Sequence, residues 1–135
     1  MKELRIDAKI ENLDKVLAFL DTELENIDCP MKEQMQLDVA VEEIFVNIAS
    51  YAYQPGEGDA LIQLEKLEGP DRIVVTFTDS GIPYDPLAKE DPDVTLSAEE
   101  RQIGGLGIYM VKKSMDEMAY EYKDKKNILK IAKYI

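Results

Sequence analysis

The chain has 135 residues, one domain's length, with 16 Lys plus Arg against 28 Asp plus Glu (formal charge −12) and 45% hydrophobic residues, enough for one buried core. It contains no His, no Trp and one Cys, which excludes Ser-His-Asp and Cys-His catalysis, a histidine metal cage and a histidine phosphoacceptor, and leaves acid–base work to carboxylates, Lys or Tyr. The acidic balance argues against nucleic acid, because duplex binding rests on neutralising phosphates, and it means that an anionic ligand needs a metal ion or oriented backbone amides.

Leu4, Ile6 and Ala8 alternate with charged residues and predict a short strand. The segment Met1-Lys2-Glu3-Leu4-Arg5 has no apolar signal core, and no run of apolar residues is long enough to span a bilayer, so the expectation is a cytoplasmic protein. Over residues 12–26, Leu13, Val16, Leu17, Leu20 and Leu24 fall on one helical stripe, with Asn12 placed to cap it. Cys29 cannot form an internal disulfide and lies before Pro30 between two helices, where a packing role is expected. Pro30 opens a longer helix through Leu37, Val41, Ile44, Ile48 and Ala52, ending near Tyr53 before the turn Pro55-Gly56-Glu57-Gly58. Strands are predicted at 60–67 and 73–78, the second rich in β-branched and aromatic residues. Between Ser80 and Gly105 the pattern breaks down around Pro83, Pro86 and Pro92, and a loop of that length in a small domain suits a functional lid. A helix follows from Gly107 through Ile108, Val111 and Met115, and strands at 118–122 and 128–135 close the chain. This order predicts a single α+β domain over 1–135, a two-layer α/β sandwich with a mostly antiparallel sheet, helices on one face and a lid at about 84–104.

Three places carry chemistry. Glu43 and Asn47 are four residues apart on the long helix and project side by side, bordering the buried stripe of Ile44 and Ile48. A carboxylate beside an amide oxygen suits a hydroxyl to be deprotonated next to a hard cation such as Mg²⁺; alone, the pair reads as an ordinary surface pair on an amphipathic helix. Asp79-Ser80-Gly81-Ile82-Pro83 leaves the strongest strand, where a carboxylate can accept a hydrogen bond from an exocyclic amine and Gly81 permits close approach of a flat ring; alone, it reads as a turn. Gly104-Gly105-Leu106-Gly107-Ile108 opens a helix, so its amides can close on phosphate oxygens; alone, it reads as a hinge. Neither the dinucleotide fingerprint nor a P-loop is present.

Taken in order, Glu-x-x-x-Asn on a helix, Asp-x-Gly-x-Pro after a strand, a long lid and Gly-Gly-Leu-Gly at a helix start resemble the GHKL nucleotide-binding superfamily with its Bergerat fold. The short length, the run from Asp79 to Pro86 and Met115-Asp116-Glu117 are closest to its anti-sigma regulatory factors, which are also serine-protein kinases. The resemblance implies ATP and Mg²⁺ as cofactors, Glu43 as general base, and Asn47 as the Mg²⁺ ligand. It further implies that Asp79 binds the adenine amine with Gly81 lining the base, and that Gly104, Gly105 and Gly107 cradle the phosphates; Arg101, just before them, is placed for a phosphate contact but reads first as a solvated lid charge. Two positions depart from the family pattern. Tyr51 stands where many relatives have His, with core filling as its expected role, and Lys130 aligns where relatives place a Thr near adenine. The partners implied are a sigma factor to be sequestered and a STAS-type anti-anti-sigma protein to be phosphorylated on Ser, with homodimer pairing common in the family. The alternative is a nucleotide-dependent protein-binding module without phosphoryl transfer. A sensor histidine kinase is disfavoured, since the chain has no His to phosphorylate.

Overall fold

In the computed structural model, which describes residues 1–53, 56–87 and 105–135, the alternating segments become strands β1 (Lys2–Asp7), β2 (Asp59–Leu67), β3 (Arg72–Asp79), β4 (Glu117–Lys123) and β5 (Lys126–Tyr134). They form one sheet in the order β1-β2-β3-β5-β4, with every pairing among the described residues antiparallel. The helical stripes become α1 (Leu13–Asn26), α2 (Met31–Asn47) and α3 (Gly105–Ser114). The element order and the helix-on-sheet layering agree with the sequence reading. Of the predicted lid, residues 84–87 are described, and the rest, with Arg101, Gly104 and the acidic residues between Glu90 and Glu100, lies outside the described residues.

Burial explains which sheet face the helices cover. Ile62 and Leu64 of β2, Ile73, Val75 and Phe77 of β3, and Leu129 and Ile131 of β5 share one face by their two-residue period and join one core with the helices. The helices contribute Val16, Leu20 and Leu24 from α1 and Leu37, Val41, Ile44 and Phe45 from α2. Phe45 and Phe77 are shut off from solvent almost completely, and each such side chain stabilises the fold by about 1.5–3 kcal/mol. Met115, just past α3, also reaches this core. Among the described residues no helix is long and apolar enough to cross a membrane.

Three local details differ from the sequence reading or refine it. Asn12 does not cap α1 through its side chain; it lies in a 3₁₀ turn (Ile10–Asn12) and its amide donates to the Asp7 carbonyl at 2.9 Å. The long helix does not run straight to its end, because Ile48–Ala52 form a single π turn after Asn47. The hairpin between β4 and β5 turns through Asp124 and Lys125 at φ 53° and 63°, a primed turn geometry whose twist suits a two-residue connection. That hairpin sets the register in which Tyr122 faces Asn127 and Tyr120 faces Leu129.

Where α1 meets α2, Asp21 and Asp38 stand together. Asp21 accepts a hydrogen bond from Gln34 at 3.4 Å, and one carboxyl oxygen of Asp38, Oδ1, is buried without a partner among the described residues. Burial, followed by the hydrogen bond and charge of Asp21, pushes the Asp38 carboxyl up to about 7. The folded state therefore holds a proton that the unfolded chain has released, and stability is full below the ordinary carboxylate range and falls as pH rises towards 7. Asp38→Asn keeps a donor to Asp21 without the charge. Its melting temperature should match wild type at about pH 4 and exceed it by about 3 °C at about pH 8, measured by thermal melts. Asp38 also bears on Cys29, after burial itself and the charge of Glu33. Burial foremost, then Glu33 and Asp38, pushes the thiol up and keeps it neutral, in keeping with a packing role.

Candidate functional site

A cavity of about 360 Å³ opens between the C-terminal half of α2, the π turn and the end of the sheet where β3 exits and β5 begins. That is the size range of a small-molecule site. Its floor is Phe77 and Leu129, neighbours in the β3–β5 register, and its walls include Ile44, Ile48, Ala52 and Ile108. Asn47, Tyr51, Asp79, Tyr84, Tyr120 and Asn127 bring the polar atoms. An apolar slot with a few converging polar groups suits a flat heteroaromatic ring.

Asp79 is the last residue of β3 and faces the helices by the same two-residue period as Phe77. It is 7% exposed. Its Oδ1 accepts hydrogen bonds from the Gly81 N–H at 2.9 Å and the Asn127 Nδ2 at 3.0 Å. A buried carboxylate is held in place by such donors, and the second oxygen, Oδ2, has no partner among the described residues. Gly81 is required by the close approach of the loop to the π turn. A Cβ there would overlap the Ala52 carbonyl, to which the next residue, Ile82, donates its N–H at 2.9 Å.

Asn47 is the last residue of α2, half-buried, and its amide lines the cavity. Glu43, one turn earlier, does not line the cavity itself. Its carboxylate lies beyond, against the first turn of α3, where a Cβ on Gly107 would overlap Glu43 Oε2. A carboxylate at a helix N-terminus is favoured by the exposed amides and the helix dipole. The structure therefore brings together Glu43, Asn47, Asp79, Gly81 and Gly107 at one end of the sheet, with Gly105 opening α3. Gly104 and Arg101 lie outside the described residues.

Tyr51 and Lys130 are not where the sequence reading put them. Tyr51, expected to fill the core, is 54% exposed and lines the cavity. It sits in the π turn, whose extra residue per turn swings its side chain out of the apolar stripe. Lys130 is exposed, faces Thr76 and Ala119 on the side of the sheet away from the helices, and is not part of the cavity. The residue that lines it is Leu129, because a one-residue offset along a strand reverses the face.

Sequence reasoning missed Asn127, Tyr120, Ile82 and Tyr84. Asn127 pairs with Asp79 in the β3–β5 register and is 6% exposed. Its Oδ1 accepts from the Tyr120 hydroxyl and from the Tyr84 N–H at 3.1 Å, and its Nδ2 donates to Asp79 and to the Ile82 carbonyl at 2.9 Å. Burial foremost raises the Tyr120 phenol above its ordinary value, so it stays a donor. A signal was present: Asn127 falls two and four residues before Leu129 and Ile131, on the buried face.

Comparisons with known proteins agree with this fold. The sequence matches the histidine kinase-like ATPase domain over residues 6–133. It is 31% identical over 103 residues to the serine-protein kinase RsbW of Listeria monocytogenes serovar 1/2a, covering 73% of this chain and 64% of that protein. It is 28% identical over 98 residues to the serine/threonine-protein kinase BtrW of Bordetella bronchiseptica, covering 73% of this chain and 68% of that protein. The chain thus spans 64% of the length of the RsbW relative. In fold it is similar to the crystal structure of the RsbU and RsbW domains of a Mycobacterium tuberculosis protein, with a TM-score of 0.64 at 15% identity over 99% of this chain and 32% of that one. It is also similar to a chain of the SiaB–SiaC complex from Pseudomonas aeruginosa, with a TM-score of 0.61 at 18% identity over 98% of this chain and 89% of that one.

Proposed function

We propose, from the premise that the chain belongs to the histidine kinase-like ATPase domain family, that it is an ATP-dependent serine-protein kinase acting as an anti-sigma regulatory factor. The observation that carries this reading is the packing of the Glu43 carboxylate against Gly107 at the start of α3, which joins a general base to a helix N-terminus suited to phosphate. The serine-kinase names of the relatives support it.

In this reading the adenine ring fills the apolar slot over Phe77 and Leu129, and its amine donates to Asp79 Oδ2. The amides at Gly105 and Gly107 face the phosphates, a role the family pattern also gives to Gly104. The half-buried Asn47 amide, without a protein partner among the described residues, offers an oxygen that fits Mg²⁺. Bound there, the ion would neutralise charge between the phosphates. Glu43 takes the proton of a Ser hydroxyl on the partner. The Ser Oγ forms a bond to the γ-phosphorus, the bond from that phosphorus to the bridging oxygen breaks, and ADP leaves. The chain is acidic at −12, so a partner newly carrying about −1.5 to −2 of phosphate charge docks less well and departs. The partner class is a STAS-type anti-anti-sigma protein, and its release frees this chain to hold a sigma factor. Homodimer pairing and a cytoplasmic setting belong to the same proposal.

Tyr51, exposed at the cavity mouth where the family pattern has His, favours a second reading in which nucleotide binding controls a partner without transfer. Incubation with labelled ATP, Mg²⁺ and the STAS protein encoded nearest decides between them. Label on a Ser of that protein is the expected result; ATP bound with no label passed on selects the binding module; no ATP binding removes both.

A further inference from the structure

We propose that Tyr120 and Asn127 are positioning residues that set the base preference of the cavity, by occupying one oxygen of Asp79 and presenting the other to the ligand. This rests on reading the cavity as an adenine-nucleotide site. Asp79 and Asn127 are the two buried polar residues among the described ones, and they sit directly opposite each other on adjacent strands. The two ends of an Asn amide have the same shape but opposite polarity, so its orientation is set by its neighbours. Here the neighbours leave one choice. The Tyr84 backbone N–H can only donate, and it faces Oδ1; the Ile82 carbonyl can only accept, and it faces Nδ2. The Tyr120 hydroxyl donates to the same Oδ1 and reinforces that orientation.

With Nδ2 so fixed, Asp79 Oδ1 is filled by Asn127 and by the Gly81 N–H. Oδ2 is left as the acceptor for a ligand. A ring carrying an amine at this point is accepted, and a ring carrying a carbonyl oxygen meets a carboxylate oxygen and is rejected. Asn127 also ties down Ile82 and Tyr84, two residues of the cavity wall. The chemistry selected is thus a 6-amino purine over a 6-oxo purine, and the selection is enforced by residues set behind Asp79.

The test measures binding of ATP and of inosine triphosphate, which replaces the amine by a carbonyl, to wild type, Tyr120→Phe and Asn127→Ala by calorimetry. Wild type should prefer ATP by about a hundredfold. Each variant should lose about tenfold in ATP affinity with little change for the inosine nucleotide, so that the ratio contracts. Tyr120→Phe removes one hydroxyl and keeps the ring, which guards against loss of the fold. Asn127→Asp adds a second carboxylate against Asp79, and two such groups share one proton. Its ATP binding should be near that of wild type at about pH 5, where the shared proton replaces the amide donor, and weaker by about tenfold at about pH 8. An unchanged ratio in Tyr120→Phe and Asn127→Ala, or equal losses for both nucleotides, overturns the positioning role while the ATP site stands. A loss in Asn127→Asp that is the same at both pH values also overturns it. Wild type that binds neither nucleotide overturns the ATP-site reading and this inference with it.

Discussion

Glu43→Ala is expected to lower phosphoryl transfer by about 10³-fold while leaving ATP affinity within about twofold, measured as label on the partner Ser and by calorimetry. Glu43 lies outside the cavity wall and against the first turn of α3, so its removal should take away the proposed proton acceptor without touching the cavity proposed for the base. Gly107→Ala should reach the same end from the opposite side. A methyl at 107 would occupy the place of Glu43 Oε2, and a flexible carboxylate gives way more readily than backbone. The fold should therefore survive, and an Ala inside a helix is favoured over Gly by about 1 kcal/mol. Expected is a melting temperature equal to wild type or higher, with transfer down about 10²-fold from misplacement of the base. The double variant should be no worse than Glu43→Ala alone, since both changes remove one interaction. Additive losses, or a Gly107→Ala protein with full transfer, would falsify the link between the two residues.

That link shows why the glycine pattern was legible in sequence while its main reason was not. Glycines before a helix read as a phosphate cradle from the loop chemistry alone. The second demand on Gly107, to leave room for a carboxylate from another helix, is a tertiary contact with no local signature. The same division runs through the fold. Leu37, Val41, Ile44, Ile48 and Ala52 are all buried as their period predicts, because a helix stripe needs only one apolar surface to face. The π turn that begins at Ile48 leaves that stripe apolar throughout, so the sequence offers no mark of it, yet it moves Tyr51 from the core to the cavity mouth. In β5 the run Ile128-Leu129-Lys130-Ile131-Ala132 has apolar residues at both phases of the strand. Ile128 and Ala132 lie on the face without helices, and this masked the alternation that places Leu129 and Asn127 inward. Local periodicity therefore decided the elements, and register decided the site.

Asp79→Asn is the change expected to weaken ATP binding most, by about a hundredfold. The substituted amide has one acceptor oxygen and one donor nitrogen where the carboxylate had two acceptors. Gly81 N–H and Asn127 Nδ2 both donate to the inner position, so the folded protein turns the new oxygen inward and survives. The new nitrogen then faces the cavity. An adenine amine meets it donor to donor, and the alternative rotamer only moves that clash inward to two buried donors. No orientation satisfies both sides with adenine present. A 6-oxo purine does satisfy both, because its carbonyl accepts from the outward nitrogen. Asp79→Asn should thus bind inosine triphosphate more tightly than ATP, the reverse of wild type, with a melting temperature close to that of the parent. Calorimetry with the two nucleotides checks it, and a variant that loses both equally would show that Asp79 supports the wall of the cavity without reading the base.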